Sequence, residues 1–305
     1  MARASRKPSR HRIKSQLPSP ALPFDEDIPI DTGTVRLQQE SDGAVLVLIN
    51  GMPSSMLDPE PAALSFEYMR WMHRILVAVH ASDAPLAIAH LGGGAAALPR
   101  ALADGFPRST NTVVEIDGRL NTLVREWFSL PKAPRVSLRT ADALTALSGW
   151  RTARFSAVIR DVFADGHTPA AFTTVETAQE VQRVLKPGGM YLANADMFPG
   201  STAVADEVAT LREVFAHVAV VAEPSALKKR RRANCVLIGT AEPLPPAVER
   251  TIRSDAVSVR LLSAIDVDRL ARSGRVLRAE AAGLSERAAP GPDEPAQRKD
   301  PAQSA

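Results

Sequence analysis

Three consecutive glycines, Gly92-Gly93-Gly94, follow a short apolar stretch at 86–91 and open a segment that reads as a helix over 95–104. A glycine turn between strand and helix lets bare backbone approach a ligand, because there is no Cβ to clash. The helix start behind it offers free N–H groups. The chain then repeats the alternation. Short apolar strands are predicted at 112–116, 136–138, 155–159 and 190–193, with helices over 118–129, after Asp142, over 173–185 and over 201–215. Such alternation predicts an α/β fold with a mostly parallel sheet covered on both faces. Strands with little polar alternation fit burial on both sides. Segments 218–222 and 235–239 close the series as an antiparallel pair.

Upstream the pattern differs. The apolar run 45–49 lies between two hairpin signals, Asp42-Gly43 and Asn50-Gly51. A helix is predicted over 62–80, with Leu64, Tyr68, Trp71, Ile75 and Val79 along one face. The resulting division is a disordered basic arm at 1–30, a small N-terminal β-hairpin region with its linking helix at 31–80, and a nucleoside-binding domain at 81–242. A C-terminal extension at 243–280 and a disordered, proline-broken tail at 281–305 follow.

Composition narrows the function classes. Cys235 is the one cysteine, so intramolecular disulfides and cysteine-based zinc sites are excluded. No apolar run approaches 18 residues and none follows the basic start. No membrane span and no secretory signal are expected, and a cytoplasmic location is. The net charge is +3, but its basicity is local. Six cations lie in residues 1–14 and five more at Lys228-Lys229-Arg230-Arg231-Arg232; without these eleven, 26 basic residues face 34 acidic ones. Nucleic-acid binding is not expected from this balance.

The acid that gives the glycine turn meaning is Glu115, which ends the next strand 22 residues beyond Gly93. In nucleotide-binding α/β folds an acid near that spacing accepts from the ribose hydroxyls. The alternative is a solvated strand-end carboxylate. Asp142 can cap the helix that follows it or accept from an adenine amino group, and its two oxygens allow both. No Gly-x-x-x-x-Gly-Lys-Ser/Thr or Gly-x-Ser-x-Gly occurs, and the six histidines lack metal-ligand spacing.

Over residues 43–240 the chain resembles the spermidine synthase family of polyamine aminopropyltransferases. Gly92-Gly93-Gly94 is similar to the family's Gly-Gly-Gly-Asp-Gly, and Val113-Val114-Glu115-Ile116-Asp117 to its ribose strand. Thr140-Ala141-Asp142-Ala143 is similar to its adenine turn, and Leu185-Lys186-Pro187-Gly188-Gly189 to its Leu-Lys-Pro-Asp/Gly-Gly turn. Phe66-Glu67-Tyr68-Met69-Arg70 lies where the family has Phe-x-Tyr-His-Glu. The resemblance implies a Rossmann-like methyltransferase domain with a seven-stranded, mostly parallel sheet and an antiparallel last strand. A small N-terminal β region precedes it, and the family is typically dimeric or tetrameric.

The resemblance also implies a sulfonium nucleoside ligand, decarboxylated S-adenosylmethionine or its thioether product, held by Gly92, Gly93, Gly94, Glu115 and Asp142, and sulfonium alkyl transfer needs no metal. Asp161 is implied as the catalytic acid. Asp165, a candidate catalytic replacement for the family's second acid, stands one residue beyond its place, which Ala164 takes, and Ala95 replaces the family's Asp. Tyr68 either orients the amine or packs on its helix face. Three functions fit: aminopropyl transfer to an altered acceptor, methyl transfer from S-adenosylmethionine, and nucleoside binding without catalysis. The cationic run 228–232 is either a solvated hairpin loop or the feature that admits an anionic acceptor or an acidic partner.

Overall fold

Hairpin chemistry builds the N-terminal part of the computed structural model, which describes residues 22–164, 166–227 and 232–280. Strands β1 (Ile28–Ile30), β2 (Gly33–Gln39), β3 (Val45–Ile49) and β4 (Met52–Leu57) form one antiparallel sheet in that order. Asn50 and Gly51 take positive φ of 51° and 76° and close a two-residue turn between the paired Ile49 and Met52. Val35, Leu37, Val47 and Leu57 point into the core.

Strand β1 revises the extent of the basic arm. Ile30 is buried and pairs with Gly33, and Leu22 and Phe24 pack on the same core. Averaging over thirty residues hid the apolar side chains from 22 onward. The rest of the arm (1–21), the tail (281–305), Asp165 and Lys228–Arg231 lie outside the described residues.

Helix α1 (Glu67–Val79) buries Tyr68, Trp71, Met72, Ile75 and Leu76 on one stripe. It begins five residues later than expected. Leu64 sits at φ 44°, which a right-handed helix does not pass through.

The larger domain alternates as predicted: β5 (Ala87–Leu91), α2 (Ala97–Gly105), β6 (Thr110–Glu115), α3 (Gly118–Trp127), β7 (Val136–Thr140), α4 (Ala143–Gly149) and β8 (Phe155–Arg160). Then come α5 (Val175–Val184), β9 (Leu185–Met197), α6 (Ala203–Arg212), β10 (His217–Ala222), the one-turn α7 (Pro224–Leu227) and β11 (Ala233–Thr240). The extension adds α8 (Pro246–Arg253), β12 (Arg260–Leu261) and α9 (Ala264–Arg272). The sheet order is β12-β10-β11-β9-β8-β5-β6-β7. Strands β5 to β9 pair in parallel, and β11 runs antiparallel to both β9 and β10. The sheet therefore has eight strands where seven were expected. The eighth, β12, is a two-residue edge strand on β10, too short to carry an alternation signal.

Alternate strand residues feed two apolar layers. Ile88, Ile159, Leu192 and Ile238 join α1, α2, α3 and α8 on one face. Ala89, Leu91, Val158, Ala193 and Leu237 join α4, α5, α6 and α9 on the other. The expected turn at Lys186–Gly189 is accommodated as an irregularity at the start of β9, where the register jumps from Phe155↔Leu185 to Ala157↔Met190.

Polar ties fix the small sheet to the domain. Asp117 caps α3 by accepting from Leu120 N at 2.7 Å, and its second oxygen accepts from Thr32 N and Oγ1 at 2.7 and 2.8 Å. The extension is tied by Asp255, whose buried carboxylate takes Arg70 in a two-pronged contact and Arg74 at 3.0 Å. Arg70, at the family's Glu position, is therefore a structural anchor.

One buried pair makes folding pH-dependent. His90 and Asn111 face each other at 3.0 Å between β5 and β6. Asn111 Nδ2 already donates to Ser109 and Arg135 O, so His90 donates from Nε2 to Asn111 Oδ1. Burial pushes the imidazole down to about 4. The unfolded chain binds this proton near pH 6.5 and the folded chain near 4, so stability falls as pH drops through that window, by about 3 kcal/mol in all. Denaturant unfolding at pH 7 and pH 4.5 is expected to show a shallower pH slope for His90→Gln than for the parent chain.

Candidate active site

The carboxyl ends of the parallel strands β5, β6, β8 and β9 lie along one edge of the sheet, and the glycine turn follows β5 there. Gly92 has φ 89°, and a Cβ there would lie 2.1 Å from the Asp161 carbonyl oxygen. Only glycine permits this approach. The turn is stitched to both neighbours: Gly92 N donates to Val114 O at 3.0 Å and Asp161 N to Leu91 O at 2.8 Å. The first residue beyond β8 is thereby fixed against the first glycine.

Glu115 is partly buried and holds three backbone N–H groups. Its Oε2 accepts from Gly93 N at 2.9 Å and Gly94 N at 3.1 Å, and its Oε1 from Asp117 N at 3.2 Å. It is thus neither a free strand-end carboxylate nor remote from the turn. A carboxylate offers about four acceptor positions, so about one remains. Ile116, the next residue, is 61% exposed and presents an apolar face at the same edge. Beyond Gly94, Ser55 of β4 accepts from Ala95 N at 3.1 Å, which brings the small sheet onto the turn. Ala95 is wholly buried. Asp142 caps α4, its Oδ1 accepting from Thr145 N and Oγ1 at 2.8 Å.

Asp161 sits at the centre of a hydrogen-bond cluster. Tyr68 donates from Oη to Asp161 Oδ2 at 2.9 Å, and Asn194 donates from Nδ2 to Oδ1 at 2.9 Å. Burial raises the Asp161 carboxyl above the usual range, while Asn194 and Tyr68 act in the opposite direction. Burial and the Asp161 charge hold the Tyr68 phenol well above its ordinary value, so it remains a donor. Tyr68 both packs on its helix face and orients Asp161. Beneath the site, Arg160 is fully buried and pairs with Glu207 at 2.7 Å while donating to Asn194 O at 2.6 Å. Burial opposes the Arg160 charge, and Glu207, Tyr191 and Asp161 together more than offset it.

This sheet edge brings together Gly92, Gly93, Gly94, Glu115, Asp161 and Tyr68, and Asp142 caps α4 at the same edge. Asp165 lies outside the described residues. Sequence reasoning missed Asn194. Its signal was a pair of polar residues, Asn194 and Asp196, at the carboxyl end of an otherwise apolar strand. Asn194 Oδ1 is buried without a hydrogen-bond partner among the described residues, an acceptor left open beside Asp161.

The turn's geometry is testable without ligand. Glu115→Ala strands three backbone donors and is expected to cost about 1–2 kcal/mol in denaturant unfolding. Gly92→Ala places a methyl against backbone at positive φ and is expected to cost more than about 1 kcal/mol.

No family model matches the chain. A probable spermidine synthase from Corynebacterium glutamicum is 34% identical, covering 92% of this chain and 100% of that one at a TM-score of 0.78. The polyamine aminopropyltransferase of Vibrio vulnificus is 27% identical over 160 residues, 52% of this chain and 52% of that protein. Human eEF1A lysine and N-terminal methyltransferase is 30% identical over 123 residues, only 18% of its length. Against these two proteins the match thus spans about half of the first and under a fifth of the second. A glycine turn tied to Glu115, a carboxyl held by Tyr68 at the end of β8, and full-length likeness to a probable spermidine synthase have one reading: the chain belongs to the spermidine synthase family, as a divergent spermidine synthase-like protein with the methyltransferase-type fold.

Proposed function

We propose that a crevice at this sheet edge binds a sulfonium nucleoside, S-adenosylmethionine or its decarboxylated form, and transfers an aminopropyl group from the decarboxylated form to an amine. The observation that carries this is the placement of Asp161, a partly buried carboxylate just past β8 whose two oxygens accept from Tyr68 and Asn194. In the displacement, the amine nitrogen forms a bond to the carbon beside the sulfonium. The carbon–sulfur bond breaks, and sulfur leaves as a neutral thioether. The amine must be neutral to attack, so its proton passes to Asp161. A raised carboxyl is better matched to that proton than an ordinary one. Glu115 accepts from a ribose hydroxyl through its remaining position, Ile116 offers an apolar face to the base, and the second Asp142 oxygen accepts from the adenine amino group. Neighbouring folds support the ligand class: human methyltransferase-like protein 13, 26% identical at a TM-score of 0.50, was solved in complex with S-adenosylhomocysteine.

Methyl transfer from S-adenosylmethionine itself is the second reading, favoured by one observation. Ala95 and Ala96 are buried and carry no acid, so nothing there repels a ligand carboxylate. Calorimetry with the two sulfonium nucleosides separates the readings, aminopropyl transfer requiring the tighter binding of the decarboxylated one.

Two outcomes check the proposal. Glu115→Ala is expected to weaken methylthioadenosine binding by about 1.5–3 kcal/mol, and unchanged affinity rejects the ribose role. Asp161→Asn is expected to leave that affinity within about twofold while removing amine alkylation. In the parent chain the rate rises with pH as Asp161 loses its proton, with an inflection above the ordinary aspartate value near 3.9. A rate that is flat through the acidic range counts against Asp161 as the base.

A further inference from the structure

Beside the Asp161 cluster stands a second acid that is already occupied. Asp196 follows Asn194 by two residues on β9, so the two side chains share a face of the sheet. It is 9% exposed. Arg232, immediately before β11, holds it: Nε donates to Oδ1 at 3.0 Å, and Nη2 forms an ion pair with Oδ2 at 2.5 Å. The same Nη2 donates to Gly166 O at 2.7 Å. Gly166 belongs to the turn after Asp161, which Ala164 and His167 close with mutual backbone bonds of 2.9 and 3.0 Å. One guanidinium thus joins the β9 acid, the start of β11 and the turn that continues from Asp161. Its side chain is still 53% exposed.

The placement bears on the acceptor. An amine attacking beside Asp161 has Asn194 and then Asp196 along its path on β9. A diamine carries a second ammonium at its far end, which would meet a carboxylate already neutralised by the Arg232 guanidinium through one hydrogen bond and an ion pair. Displacing that contact forfeits charge-assisted bonds, and leaving it intact sets two cations together. An acceptor with a carboxylate or other anionic group at its far end meets the exposed part of the guanidinium instead.

We propose that Arg232 sets the charge of the acceptor, so that the crevice takes an amine whose far end is anionic and turns diamines away. This rests on the alkyl-transfer reading above.

The test uses a matched pair of four-carbon amines, putrescine and 4-aminobutyrate, which differ in whether the far end is an ammonium or a carboxylate. The full chain is first titrated with methylthioadenosine, then the loaded protein with each amine by calorimetry at low salt. The parent chain is expected to bind 4-aminobutyrate at least about tenfold more tightly than putrescine, since like charges brought together disfavour the wrong partner. The preference should shrink at 1 M salt, where the Debye length falls to about 3 Å. Arg232→Gln, with folding confirmed by circular dichroism and melting temperature, should abolish the preference, and Arg232→Lys should retain part of it. Tighter putrescine binding by the parent chain, no binding of 4-aminobutyrate, or an unchanged ratio in Arg232→Gln overturns the proposal alone. Failure of methylthioadenosine to bind in the first titration overturns the nucleoside reading, and this proposal with it.

Discussion

The close approach of Gly92 to the Asp161 carbonyl organises the rest of the crevice. No side chain fits between them, so two adjacent parallel strands end in register and their next residues are forced together. One of those residues leads into the glycine turn, the other is Asp161 with its carboxyl held by Tyr68 and Asn194. Glu115, from the third strand, then clamps the turn through its amides. Three strand ends are locked into one geometry before any ligand arrives. Preorganisation of this kind is what lets a site align a nucleophile with an electrophile without reordering itself.

The support beneath is electrostatic and costly to disturb. Arg160 and Glu207 are both buried, and Arg160 also holds the Asn194 carbonyl. Removing one partner of such a pair leaves a buried charge uncompensated, which typically costs about 3–5 kcal/mol. The backbone that presents Asn194 to Asp161 therefore depends on a pair that never faces the crevice. On the other flank, Ser55 and Thr32 bring the N-terminal sheet onto the glycine turn and the start of α3. The small sheet acts as a wall of the site as well as an appendage to the domain.

Local sequence signals carried the parts of this arrangement that depend on short spacing. The 22-residue step from Gly93 to Glu115 became a direct hydrogen bond, because one strand-helix-strand unit returns the chain to the adjacent parallel position. Asp142 became the cap its position after a strand suggested. Asn50-Gly51 became the hairpin turn. Contacts across long separations left no such trace. Tyr68 and Asp161 are 93 residues apart and came together only through the family resemblance. Arg70 and Asp255 are 185 apart, and nothing in the pattern around either pointed to the other. β12 was too short to register, and Asn194 was hidden in a strand read for its apolar content.

A crystal structure with methylthioadenosine bound tests the central claim most directly. A ribose hydroxyl is expected within hydrogen-bond distance of Glu115, the adenine against Ile116, and the thioether sulfur on the side of Gly92 and Asp161. A nucleoside bound away from Glu115, or with its sulfur turned from Asp161, contradicts the account.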